Sequence, residues 1–281
     1  MRSTWLFLFL ITIFVCTAFA QEQAIETGVR EAFLVSREKK VDVTNKQTSQ
    51  STKNDNRNKK NTGNTNFSVP KNNVSTIGLG YTIYMRTNND ECVSVDPTRH
   101  FRSGDSIRIT FEPNIDCFIY IFYVENNGEP ELLFPDRKLN DGNNKALSHV
   151  PFEIPSSDNP SPELCWFNFS GEASNQQLYV VATRKPISEV PRGKDLDLYS
   201  QEHRTAWKPS KVFWLQLKQK ADEPITLSKS NNYGQNQSKI EKVSIGRRLS
   251  LLTNAPRPSI IQVSNSPTSD LLVARIELIQ D

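Results

Sequence analysis

The stretch "SIRITFEPNIDCFIYIFYV" (106–124) decides how the chain folds. In its first half Ile107, Ile109 and Phe111 fall on one side, and Arg108 and Thr110 on the other. That period of two describes an antiparallel strand with one buried face. Its second half, "CFIYIFYV" (117–124), is apolar on both sides. Such a strand belongs at the centre of a sheet that is packed on two faces. Pro113-Asn114 lies between the halves and supplies the turn.

The same pattern extends outward. "LGYTIYMR" (79–86), "ELLF" (131–134), "CWFNF" (165–169) and "QLYVVATR" (177–184) read as further strands. Polar turns separate them at Asn88-Asn89-Asp90, Arg102-Ser103-Gly104-Asp105 and Asn126-Asn127-Gly128. Short strands at such intervals predict a mainly β fold, an antiparallel β-sandwich that is Ig-like in architecture. After 186 the period changes. A short helix is expected within 188–201. A second is expected over 209–222, with Pro209 early and Val212, Phe213, Leu215 and Leu217 on a broad apolar face. A third, over 238–252, is weakened by Gly246. Strands return at 259–264 and 270–279, and the last should pair back into the main sheet. The domain is thus expected over 77–281, with a helical insertion at about 188–255.

Upstream of 77 the composition is different. Arg2 precedes an apolar run from Trp5 to Val15, and Ala18 and Ala20 before Gln21 form an Ala-x-Ala cleavage pattern. Residues 1–20 therefore read as a signal peptide cut before Gln21, in preference to an uncleaved anchor. Residues 21–40 hold a short amphipathic helix carrying Ile25, Val29, Phe33 and Leu34, expected to dock on its own domain. Residues 41–76 contain nine Asn and only five apolar residues, too few to offset chain entropy, so a disordered linker is expected. The whole chain of 281 residues carries +3. The linker holds six Lys/Arg against two Asp/Glu, whereas 77–281 holds 23 basic against 25 acidic residues. The basic balance belongs to the linker, which lacks Trp and Tyr, and this argues against a nucleic-acid partner.

Candidate chemistry is sparse. After signal cleavage Cys92, Cys117 and Cys165 remain, which allows one disulfide and a spare thiol, or three buried thiols. Their spacing makes a poor zinc site. His100, His149 and His203 are far apart in sequence and read as satisfied surface or edge residues. A cysteine hydrolase would need one of them, His100 or His149, beside Cys117 or Cys165. No nucleophile elbow, phosphate loop or dinucleotide fingerprint occurs, and "GLG" (78–80) precedes a strand, the wrong context for phosphate. Asp136, Asn140, Asp141, Asn143 and Asn144 crowd one loop without calcium-loop spacing, so a polar hairpin turning at Asp141-Gly142 is expected. No catalytic residue, cofactor or metal is assigned.

Strand aromatics raise a separate question. Tyr81, Tyr84, Phe118, Tyr120, Phe122 and Tyr123 lie on expected strands, and so do Trp166, Phe167, Phe169 and Tyr179. Most should be core, but an outward strip of them would make a platform for a glycan or peptide.

The run from Gly78 to Pro155 resembles the bacterial domain of unknown function 4384. The resemblance rests on Gly80-Tyr81, Val95-Asp96-Pro97, "FRSGDSIRITFEPN", "IDCFIYIF", "LLFPD" (132–136) and "VPFEIP" (150–155). "QLYVVATRKP" (177–186) and "LVARIEL" (272–278) resemble its closing strands. The resemblance implies an exported or surface protein whose domain is an accessory or sensing module, also found fused to kinase-like, caspase-like or formylglycine-enzyme-like domains. It carries over no catalytic residues. It usually has Gly where Cys117 stands, which puts local packing there in question. The expectation is an exported, non-catalytic binding or assembly module of the cell envelope. Its partner would be another envelope protein or a surface glycan, with no membrane span after cleavage. The alternatives are a glycan or peptidoglycan module and a cysteine hydrolase.

Overall fold

The computed structural model describes residues 30, 32–33, 76–140, 142–245 and 257–281. The signal and cleavage residues Ala18, Ala20 and Gln21, the linker up to 75, Asp141 and Gly246 lie outside them.

The fold is a two-sheet β-sandwich. The first sheet runs β11 (Ile225–Lys229), β12 (Ile260–Ser264), β1 (Gly78–Arg86), β4 (Ser106–Pro113), β8 (Phe152–Ile154); β2 (Cys92–Val95) also pairs with β1, and β9 (Phe167–Asn168) with β4. The second runs β3 (His100–Phe101), β13 (Leu271–Gln280), β10 (Ser174–Thr183), β5 (Cys117–Glu125), β6 (Glu131–Phe134), with β7 (Lys145–Ala146) also on β5. All pairs are antiparallel except β3 with β13. The C-terminal strand returns to the main sheet as expected, from Ser174↔Gln280 to Thr183↔Leu271.

Alternation explains the core. Ile107, Ile109 and Phe111 of β4 face Ile119 and Ile121 of β5 across the two sheets. Between-strand neighbours Tyr120, Phe122 and Val124 of β5 point the opposite way, into a second apolar cluster. That cluster is closed by the insertion, whose helices span Lys194–His203 and Lys211–Ala221. Phe213 and Leu217 are the buried residues of the latter, and Trp214 lies 4.7 Å from Tyr179, edge to face. The expected helix at 209–222 starts two residues later because Ser210 is its N-cap, accepting from Phe213 N–H, and Pro209 stands outside it.

The insertion is not wholly helical. Ile225–Lys229 leaves it as β11 and pairs with β12, from Ile225↔Ser264 to Lys229↔Ile260. The expected helix at 238–252 is described only as Lys239–Ser244, opened by a capping box between Ser238 and Glu241 and ending at Ile245. The 165–169 strand shortens to Phe167–Asn168, because a 3-10 turn, Pro162–Leu164, precedes it. From the N-terminal helix, Arg30 and Phe33 reach the domain. Arg30 donates to Ser228 Oγ and to the carbonyls of Pro258 and Ser259, each at 3.0 Å. Gly80 has no room for a side chain, since a Cβ there would stand 2.5 Å from the Pro258 ring. Among the described residues no helix is long and apolar enough to cross a membrane.

Candidate functional site

The outward side chains of the first sheet are polar yet buried. Arg108 and Glu153, on adjacent strands, are sealed together, with Arg108 Nη1 at 3.6 Å from Glu153 Oε2. Glu153 Oε1 accepts from Gln237 Nε2 at 2.9 Å, and Arg108 Nε donates to the Cys165 carbonyl at 3.0 Å. Tyr84 donates to Glu241 Oε1 at 2.8 Å. Burial, then the Glu241 carboxylate, push the Tyr84 ionisation well above its ordinary range. Glu112 and His149 form a second buried pair at 2.9 Å. Buried charges persist only where such partners exist.

This network has an outlet at Trp166. The Arg108 guanidinium stands 4.1 Å from the Trp166 ring centre, and the exposed Arg86 stands at 5.8 Å. Because Glu153 and the Cys165 carbonyl hold Arg108, the cation in turn holds the indole. Trp166 forms part of the wall of a cleft of about 680 Å³ between the two sheets, where both end on short strands. From the first sheet the wall takes Ile107 and Phe167, with Phe169 just after β9, and from the second Tyr123, Leu133, Leu178 and Leu278. Leu139 and Leu164 also line it. The polar groups around it include Glu125, Glu163, Asn168 and Gln176. A cleft of this size, lined by apolar residues with polar groups among them, is a common form of ligand site. Tyr123 is half-buried there. Its ionisation is pushed up to about 12, first by burial and then by Glu125 and Glu131.

Residues 100–186 match the family model described as domain of unknown function DUF4384. That segment belongs to the DUF4384 family. No curated protein and no solved structure matches the chain. The DUF4384 match spans β3 to β10 and so includes Arg108, Glu153, Trp166 and most of the cleft wall. The part of the expected span at 77–99 and the C-terminal strand lie outside it.

Cys92, Cys117 and Cys165 are all free and buried, so the disulfide alternative is replaced by the three-thiol one. The fold explains this: Cys117 faces the core between the sheets, while the Cys165 backbone lies by Arg108 on the far side of the first sheet. The core accommodates Cys117 beside Ala146, a small residue, which stands opposite it on β7. Burial pushes the Cys117 thiol up to about 12, where it is protonated at neutral pH. His100 pairs with Asp281 and His203 with the Tyr199 carbonyl, both at exposed positions as expected. His149 does not follow that reading. It is buried, with φ 55°, and its ring meets Phe33 edge-on at 5.1 Å. Among the described residues no Cys–His contact forms, and no three His, Cys, Asp or Glu converge on a metal-sized site.

The expected hairpin around Asp136, Asn143 and Asn144 instead contains a short helix, Arg137–Asn140, begun where Asp136 accepts from Lys138 N–H. The strand aromatics form no outward strip among the described residues. Tyr81 and Phe169 are inner core, Tyr120, Phe122 and Tyr179 lie under the insertion with Phe118 packed against them, and Tyr84 lies under Glu241. Only Tyr123, Trp166 and Phe167 are half-exposed at one place, and that place is the cleft. Sequence reasoning named all three but not their convergence, which joins β5 to residues some forty positions later.

Proposed function

We propose that the chain is an exported, non-catalytic binding or assembly module of the bacterial cell envelope. The cleft between the sheets holds the apolar part of its partner. One observation carries the reading: three half-exposed aromatics gather at one cleft, and a buried ion pair fixes one of them through Arg108. A site whose wall is held by buried side chains binds without first ordering itself, which favours recognition. The N-terminal run with Ala18 and Ala20 supports export, and the cysteine and histidine placements offer no assembled nucleophile to favour the hydrolase alternative.

The test is recovery of the chain from envelope fractions, with its N-terminus read by mass spectrometry. The expected product begins at Gln21 and copurifies with a discrete partner that Leu164→Asn releases. A full-length, cytoplasmic, partnerless monomer contradicts the proposal.

A further inference from the structure

The charge around the cleft indicates what enters it. No Lys, Arg or His contributes to its wall, whereas Glu125 and Glu163 do. Both carboxylates are exposed, and among the described residues neither makes an ion pair. Some carboxylates elsewhere on the surface are paired: Glu129 and Glu131 share Lys208, Asp197 takes Arg137, and Glu223 takes Lys220. The cleft therefore combines apolar side chains with two carboxylates that no cation of its own wall matches. Charge of one sign around a low-dielectric wall selects its opposite and speeds encounter.

The backbone supplies a second constraint. β9, which carries Phe167 and Asn168 into the cleft, is an edge strand paired only with β4 through Ser106↔Asn168 and Ile107↔Phe167. An edge strand offers unpaired main-chain groups to an extended chain, while adjoining hollows take alternate side chains. A fatty acid or acidic glycan would use neither that edge nor those carboxylates.

We infer that the cleft binds an extended peptide segment of a partner protein, in which apolar side chains alternate with or are flanked by lysine or arginine. The apolar side chains pack on Tyr123, Trp166 and Phe167, and the cations stand over Glu125 and Glu163. The inference rests on the binding-module reading above and names the partner's chemistry.

The probes are three capped hexapeptides with a common Leu/Phe centre and flanks of Lys, Gln or Glu. Each is titrated into the full chain at low salt, with tryptophan fluorescence as the readout. Two exposed charge pairs should favour the Lys peptide over the Gln peptide by about fivefold. The Glu peptide should bind weakest, and the preference should fade as salt shortens the screening length. Glu125→Gln with Glu163→Gln should remove the Lys preference, so that the Lys and Gln peptides bind the double variant alike. Equal affinities in the parent chain, or a Lys preference that survives the double substitution, overturn the inference. If all three peptides bind equally and Leu164→Asn weakens each, the charge selection fails while the binding-module reading stands. If none binds, the peptide inference falls, and the envelope recovery experiment decides the module reading by itself.

Discussion

The two sheets are covered on their outer faces by opposite means. Over the second sheet the cover is apolar: Phe122 meets Trp207, Phe213 and Trp214 within 6.0–6.5 Å, and helices supply most of the lid. Over the first sheet it is polar: a buried ion pair and a hydrogen bond link Arg108, Glu153 and Gln237, and a separate hydrogen bond links Tyr84 to Glu241. The apolar cover is non-directional and stabilises through burial. The polar cover contributes less net stability, since desolvation offsets attraction, but it fixes side chains in particular places. The place it fixes is Trp166, at the cleft. Stability and positioning are thus assigned to different faces of one sandwich.

The largest effect should come from the apolar face. Phe122→Ala removes a fully buried ring and should cost about 4 kcal/mol in urea unfolding. Next is Glu153→Leu, which leaves the Arg108 charge buried without its carboxylate and should cost about 3 kcal/mol. Adding Arg108→Met to Glu153→Leu should restore most of that stability. It should not restore the fixed indole, so Trp166 fluorescence anisotropy decay should show a mobile ring in the double variant. Recovery of both would mean that the ion pair does not position Trp166.

A smaller effect should follow Ser238→Ala, which removes the cap of the helix that brings Glu241 to Tyr84, at about 1 kcal/mol. Alkaline pH gives the last distinction. The Tyr84 ionisation is raised in the fold above its ordinary value of 10.0. Its contribution is then complete below pH 10 and declines as pH rises above it, because only the unfolded chain releases the proton there. Unfolding midpoints measured from pH 9 to 11 should fall, and Tyr84→Phe should flatten the decline.

The division between faces also marks what could be read from sequence. Ile107, Ile109 and Phe111 announce a strand by alternation, and 117–124 announces a two-sided one, because burial of a strand face is periodic. β11 escaped because five residues, Ile225–Lys229, lie between a helix and a polar loop, and its pairing with β12 is made some thirty-five residues downstream. The Arg108–Glu153 and Glu112–His149 pairs escaped for a related reason. A lone charge in a strand reads as solvent-facing until tertiary structure covers it, and no local spacing announces the cover. The cleft combines β4, β5, β6, β9, β10 and β13, so its residues were visible singly and its shape was not.

The central claim is that the cleft between the sheets is where the partner binds. A photoreactive benzoyl-phenylalanine at Leu164, in the cleft wall, tests it most directly in intact envelopes, with Thr268 in the exposed β12–β13 turn as the control position. The account predicts one discrete adduct from position 164 and none from 268. No adduct at 164, or the same adduct from both positions, would contradict it.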